Sequence, residues 1–249
     1  MMKNPIIEIK NLEKSFGDLC ILNKISLNVF EGENFIVFGQ SGSGKSVLLK
    51  CIVGLLTPDS GEIKINGKSV LNLSNDNLNN VRKSMGFLFQ GAALYDSMSV
   101  RDNLQFPLIR NYNFTNDELT QKTITTLAMV GLENAIDKMP SELSGGMKKR
   151  IGLARAIITE PKIMFYDEPT TGLDPITSKE ISVLILELQR KLNMTAIVVT
   201  HDLLCAEIIA DRAILLNKGD IIEEGTIEEL TASDNKLLRN FFSHEIINQ

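Results

Sequence analysis

At 249 residues, 43 % hydrophobic and 23 % charged, the chain has the composition of an ordinary globular protein, long enough to bury a sizeable core as one large domain with or without a subdomain. A formal net charge of −5 and the lack of a long basic run argue against a surface built for nucleic-acid backbone, so no nucleic-acid partner is expected. Cys20, Cys51 and Cys205 are odd in number and widely spaced, which predicts reduced cytosolic thiols rather than a disulfide or zinc site; no apolar run approaches the roughly 20 residues that span a bilayer, so a membrane role must come through a partner.

The chain opens with β-structure. Residues 7–10 and 25–29 alternate apolar and polar with period two, and between them Lys14-Ser15-Phe16-Gly17 reads as a turn-prone loop with an exposed aromatic. The apolar run 35–38 predicts a buried strand, and 47–54 reads as a helix. Between these two lies Gly39-Gln40-Ser41-Gly42-Ser43-Gly44-Lys45-Ser46, which fills every fixed position of the phosphate-loop pattern G-x-x-x-x-G-K-[ST] in its required strand-loop-helix setting. The glycines let the backbone bend until its N–H groups face phosphate oxygens at a helix N-terminus that already favours negative charge. Lys45 is then placed to reach the β- and γ-phosphates of a nucleoside triphosphate, and the Ser46 hydroxyl to bind Mg²⁺, which prefers hard oxygen ligands.

Residues 55–61 form a turn cluster, 62–65 a strand entering a tight turn at Asn66-Gly67, and 85–89 an apolar strand closing on Gln90-Gly91. From about 91 to 160 the texture becomes helical, as expected of an inserted α-subdomain. Thr115 opens one helix that stops near Gly131, and Ser144 caps another that runs to Ile158. The strand 163–166 then delivers Asp167 and Glu168 at its carboxyl end, where parallel α/β sheets keep their ligands. Asp167 suits a Mg²⁺ ligand and Glu168 a base or orienting group for the attacking water. A helix over about 176–192, a strand over 194–199 ending before His201, a helix after His201, a hairpin over 213–223 and a helix over 227–246 complete an α/β chain with a parallel-sheet core. His201 falls at the same carboxyl edge as Gly39 and Asp167.

The choice among phosphate-loop proteins rests on Leu143-Ser144-Gly145-Gly146-Met147, which resembles the signature motif of the ABC ATPases. In that family's order come Gln90 as the Q-loop, Asp167-Glu168 as the Walker B pair, 171–174 (Thr-Gly-Leu-Asp) as the D-loop and His201 as the switch histidine. The resemblance covers nearly the whole chain. It implies one ABC nucleotide-binding domain over 1–249, with an N-terminal antiparallel β-subdomain, a parallel-sheet core, a helical subdomain over about 91–160 and a C-terminal helical extension over about 226–249.

It also implies Phe16 as the aromatic that stacks on adenine and Gln90 as a further Mg²⁺ and nucleotide contact. Ser144, Gly145 and Gly146 are implied to face the γ-phosphate held by a second protomer, so that a homodimer sandwiches two ATP molecules. Segments 89–104, 143–150 and 174–177 resemble the ATPase subunits of Mla/Mce-type phospholipid transporters, with Met147 in place of the usual ABC glutamine. That likeness implies transmembrane permease subunits, an Mce-domain substrate-binding partner and a place at the cytoplasmic face of the cell membrane. The chain has neither a second cassette, as in ribosome-acting ABC proteins, nor the inserted coiled coil of chromosome and repair ATPases. Amino-acid import, lipoprotein release and a division-linked ATPase remain open as alternative couplings.

Overall fold

The computed structural model describes residues 4–247, apart from the side chains of Asn75 and 244–247. In chain order these form β1 (Pro5–Phe16), β2 (Leu19–Phe30), β3 (Asn34–Phe38), α1 (Lys45–Ile52), β4 (Ser60–Ile65), β5 (Lys68–Ser69), α2 (Asn75–Arg82) and β6 (Met85–Leu88). There follow α3 (Val100–Asn111), α4 (Asn116–Met129), α5 (Gly145–Ile157), β7 (Ile163–Asp167), α6 (Pro175–Leu192), β8 (Thr195–Thr200), α7 (Leu203–Ile209), β9 (Arg212–Asn217), β10 (Asp220–Gly225), α8 (Ile227–Ala232) and α9 (Lys236–Ile247). The α/β class expected from the sequence is what forms. The described chain divides into two compact units, one running up to Arg82 and resuming at Thr195, the other Lys83–Met194.

In the first unit β2, β1, β4 and β5 make an antiparallel sheet in that order. The period-two alternation works as expected: Ile7, Ile9, Ile25, Leu27 and Val29 are buried, while Lys10, Ser26 and Asn28 between them are exposed. The strands run longer than the alternation alone suggests. Residues Lys14 to Phe16 belong to β1, with Phe16 paired to Leu19, and the turn is confined to Gly17 and Asp18. Bulges after Ile9 and Leu12 break the period and hid this extension from the sequence.

The same unit carries a second set of strands in the order β10, β9, β3, β8. All five residues of β3 are buried: the apolar run 35–38, as a strand covered on both faces requires, and the polar Asn34 at its start. It is flanked in parallel by β8, with Phe38 opposite Thr200, and by β9, with Phe38 opposite Leu215. The helix expected over 227–246 is two helices. Thr226 opens α8 with a capping box to Glu229, and the Asn235 side chain accepts the Leu237 N–H at the start of α9. Ser233 and Asn235 offer the backbone local hydrogen bonds that compete with a continuous helix. The expected extension ends at 248–249, outside the described residues.

In the second unit β6 and β7 pair in parallel, with Leu88 opposite Tyr166. Helix α3 begins with a Ser99–Asp102 capping box and α4 with a Thr115–Glu118 box; each satisfies two N–H groups of a first turn. Ser144 caps α5 by accepting the Met147 N–H, and Asp174 caps α6 by accepting from Ile176 and Thr177, with Pro175 in the first turn.

Candidate functional site

In the first unit β3 ends at Phe38 and the chain enters the loop Gly39-Gln40-Ser41-Gly42-Ser43-Gly44, then α1. Two glycines are required by close approach. A Cβ at Gly39 would lie 2.3 Å from Ser43 Oγ and 2.4 Å from the Leu216 carbonyl, and one at Gly44 would lie 2.7 Å from the Ile21 carbonyl, at φ 106°. The loop closes on itself by the Ser43 N–H bonding the Gln40 carbonyl at 3.1 Å. Lys45, 6 % exposed, folds back so that Nζ donates to the carbonyls of Gly39 at 2.6 Å and Gln40 at 3.2 Å.

An anion suits this cradle on three counts. Helix α1 starts without a side-chain cap and without an acidic residue in its first turn, leaving its positive dipole end for a ligand. Lys45 supplies a cation at the same place. The Ser43 hydroxyl, in a residue only 6 % exposed, has no hydrogen-bond partner among the described residues, and a buried polar atom in that state is accounted for by a bound group.

His201 follows β8 directly and is exposed. The register that sets Phe38 opposite Thr200 brings His201 and Gly39 to neighbouring carboxyl ends of parallel strands, as expected. Its backbone is held on both sides: the Thr200 hydroxyl accepts the Asp202 N–H at 3.0 Å, and the Asp202 carboxylate caps α7 through the Cys205 N–H at 3.0 Å. Phe16, at the end of β1, is 50 % exposed with Lys14 Nζ 5.5 Å from its ring centroid. Asp59 fixes that end of the strand, accepting from Lys14 Nζ at 2.8 Å and the Ser15 N–H at 2.6 Å; these hydrogen bonds hold its carboxyl below the usual range.

In the second unit the parallel pairing of β6 with β7 brings Gln90 and the pair Asp167-Glu168 to adjacent strand ends. Gln90 is exposed and both carboxylates are half-buried. Glu168 adopts a left-handed backbone, φ 51°, a conformation that costs a non-glycine residue energy and recurs at functional sites. The Thr171 hydroxyl donates to Glu168 Oε2 at 3.2 Å. Ser144 and Gly145 lie exposed at the start of α5, and Gly146 is so close to α6 that a Cβ would meet Thr177 Cγ2 at 2.8 Å.

Sequence reasoning missed Lys149 and Arg155. Lys149, 5 % exposed, donates from Nζ to the Gln90 carbonyl and, at 3.1 Å, to the Glu168 carbonyl. Burial pushes its pKa down, against the charges of Glu168 and Asp167. The 3.6-residue period sets Lys149 on one stripe with Gly152, Leu153 and Ala156, and that was the available signal. Arg155 donates to the carbonyls of Ala92 at 2.8 Å and Ala93 at 2.9 Å.

Comparison with known proteins identifies the family of the chain. The family model described as ABC transporter matches residues 22–171. The chain is 42 % identical to the intermembrane phospholipid transport system ATP-binding protein MlaF of Haemophilus influenzae, over 98 % of this chain and 92 % of that one. It is 39 % identical to the methionine import ATP-binding protein MetN of Clostridium tetani, over 96 % of this chain and 75 % of that one. The dimeric post-hydrolysis structure of the ATP-binding cassette MJ0796 bound to ADP and Pi superposes with a TM-score of 0.82 at 33 % identity, covering 89 % of this chain and 98 % of that one. The chain belongs to the ABC transporter family, as an ATP-binding subunit with ATPase activity.

Proposed function

We propose that this ATPase powers phospholipid transport of the Mla/Mce type, working as a homodimer docked on transmembrane permease subunits at the cytoplasmic face of the cell membrane, with an Mce-domain protein as substrate-binding partner. The observation that carries the cargo is the 42 % identity, across 98 % of the chain, to an intermembrane phospholipid transport ATP-binding protein. Among the described residues no helix is long and apolar enough to cross a membrane, which is why the membrane contact is assigned to permeases.

In this reading Phe16 stacks on adenine, the backbone of Gly39 to Gly44 with the Ser41 and Ser43 hydroxyls cradles the phosphates, and Lys45 neutralises them. Ser46, Gln90 and Asp167 supply a hydroxyl, an amide and one carboxylate, a hard-oxygen set suited to Mg²⁺ that leaves room for waters and phosphate oxygens. Mg²⁺ would neutralise charge developing on the transferred phosphoryl group. Glu168 orients the attacking water and takes its proton, and His201 contacts the terminal phosphate from the neighbouring strand end. Ser144, Gly145 and Gly146 offer an N-terminal helix dipole to the nucleotide of the other protomer.

A strain carrying only Glu168→Gln should retain the assembled transporter and accumulate phospholipid in the outer leaflet of its outer envelope. The likeness to a methionine import protein favours amino-acid import as the second reading; a growth defect cured by methionine, with normal envelope lipid, would select it instead.

A further inference from the structure

Helix α5 turns Lys149, Gly152 and Arg155, spaced three apart, toward the strand-end segments of the second unit. A Cβ at Gly152 would lie 2.8 Å from Ala92 Cβ, so the helix and the segment after Gln90 meet without room for a side chain. Ala92, Ala93 and Glu168 all adopt left-handed backbones, with φ 60°, 50° and 51°, which L-residues hold only when their surroundings compensate. The carbonyl of each accepts from a cation of α5: Ala92 and Ala93 from Arg155, Glu168 from Lys149. Lys149 reaches further, since the same ammonium also binds the Gln90 carbonyl. One buried side chain thus ties the segment after β6 to the segment after β7.

We propose that Lys149 is a positioning residue for hydrolysis: by holding the Gln90 and Glu168 carbonyls together it fixes the strained backbone from which the Glu168 carboxylate projects. The inference rests on the reading of Glu168 as the hydrolytic carboxylate. An aliphatic side chain of the same length would fill the same space at lower desolvation cost, so the ammonium is retained for its two hydrogen bonds. Its removal lets the Glu168 backbone relax and the carboxylate drift, while the phosphate loop belongs to the other unit and keeps its own hydrogen bonds. The expected signature is a loss in kcat without a loss in ATP affinity.

The experiment uses the purified full chain with ATP and Mg²⁺. Lys149→Met should lower kcat roughly ten- to a hundredfold, the scale of a misplaced catalytic group, with ATP affinity and denaturation midpoint near wild type. Lys149→Arg, which keeps the donors, should recover most of the rate. Should Lys149→Met not fold, Lys149→Gln, which keeps a neutral donor on a shorter stem, takes its place with the same expectation of reduced kcat and retained affinity. A kcat near wild type in the folded variant, a loss confined to ATP affinity, or no rescue by arginine would overturn the proposal. Glu168→Gln measured alongside separates the two readings: if it turns over normally the Glu168 assignment falls, whereas an inactive Glu168→Gln beside a fully active Lys149→Met removes Lys149 alone.

Discussion

Phe38, the last residue of the strand that enters the phosphate loop, meets Phe241 of the C-terminal helix with ring centroids 5.5 Å apart, and Phe242 edge-on at 5.6 Å. All three rings are buried. Helix α9 therefore forms part of the floor beneath Gly39. Phe241→Ala should cost about 3 kcal/mol in denaturant unfolding, the low end for a buried phenylalanine truncation, and weaken ATP binding. Phe241→Leu should restore most of both, and a phenylalanine truncation without loss of stability would detach α9 from the loop's support.

Lys45→Ala removes the cation from the phosphate loop and two hydrogen bonds that brace the loop itself. Nucleotide affinity should fall by about tenfold or more, the equivalent of one charge-assisted hydrogen bond. Isothermal titration with a non-hydrolysable ATP analogue measures it. Unchanged affinity would remove Lys45 from the phosphate contact.

Phe16→Ala should weaken ATP by about 1–3 kcal/mol, the range for loss of one base-aromatic stack, and should weaken GTP comparably because a ring face reads no base edge. Asp59→Asn should give a smaller loss through the freed Lys14 and Ser15. With the Asp59 carboxyl held below its usual range, its hydrogen bonds are present above the unfolded pKa and are lost as pH falls through the lower folded value. Binding curves between pH 6 and 8 should therefore show no titration from this group.

These positions were legible to very different degrees. The phosphate loop, the strand carrying Asp167 and Glu168, and the Ser144 cap each follow from local chemistry: close-packed glycines, a short apolar run, a hydroxyl before a helix. Helix α2 was not legible, because Asn75 to Arg82 is a strongly polar stretch whose only apolar residues are Leu78 and Val81, and helices of that composition are set by their neighbours. Nor was the course of β1 past its bulges, or the break at Ser233 to Asn235, where local side-chain bonds override an apolar face. Lys149 and Arg155 were hidden for a different reason. Their roles depend on backbone carbonyls far along the chain, and no pattern in one sequence records which carbonyl a cation will meet.

Glu168→Gln should keep ATP binding and reduce turnover by at least about 10²-fold, the contribution of general acid–base catalysis. ATP-bound dimers should accumulate and be visible by size-exclusion mass. Ser144→Arg should instead leave ATP bound to each monomer and stop hydrolysis by blocking closure, besides costing a helix cap worth about 1 kcal/mol. Mixed with a Glu168→Gln chain, it yields dimers with one composite site free of both changes. Hydrolysis at that single site is expected, and full activity of Ser144→Arg as a dilute monomer would refute a shared site.

In the proposed transporter the segment after Gln90 is the candidate docking surface for a permease. Leu94 and Met98 are half-buried, whereas the Tyr95 ring is 46 % exposed, packed on one side by Phe106 at 5.1 Å and with Arg155 5.8 Å from its centroid. Asn103, wholly buried, holds the loop by donating to the carbonyls of Tyr95, Met98 and Ser99 and accepting the Tyr95 N–H. A half-exposed aromatic on a rigid loop is a fitting anchor for a partner helix, since little ordering entropy is lost on docking. Tyr95→Asp should therefore leave the subunit folded and ATP-competent while reducing co-purification with the permease more than Leu94→Asp does. An envelope lipid defect should follow in the same order. Retained complex in both variants would move the docking site elsewhere on the chain, and loss of complex with normal envelope lipid and failed methionine uptake would keep the docking site and change the cargo.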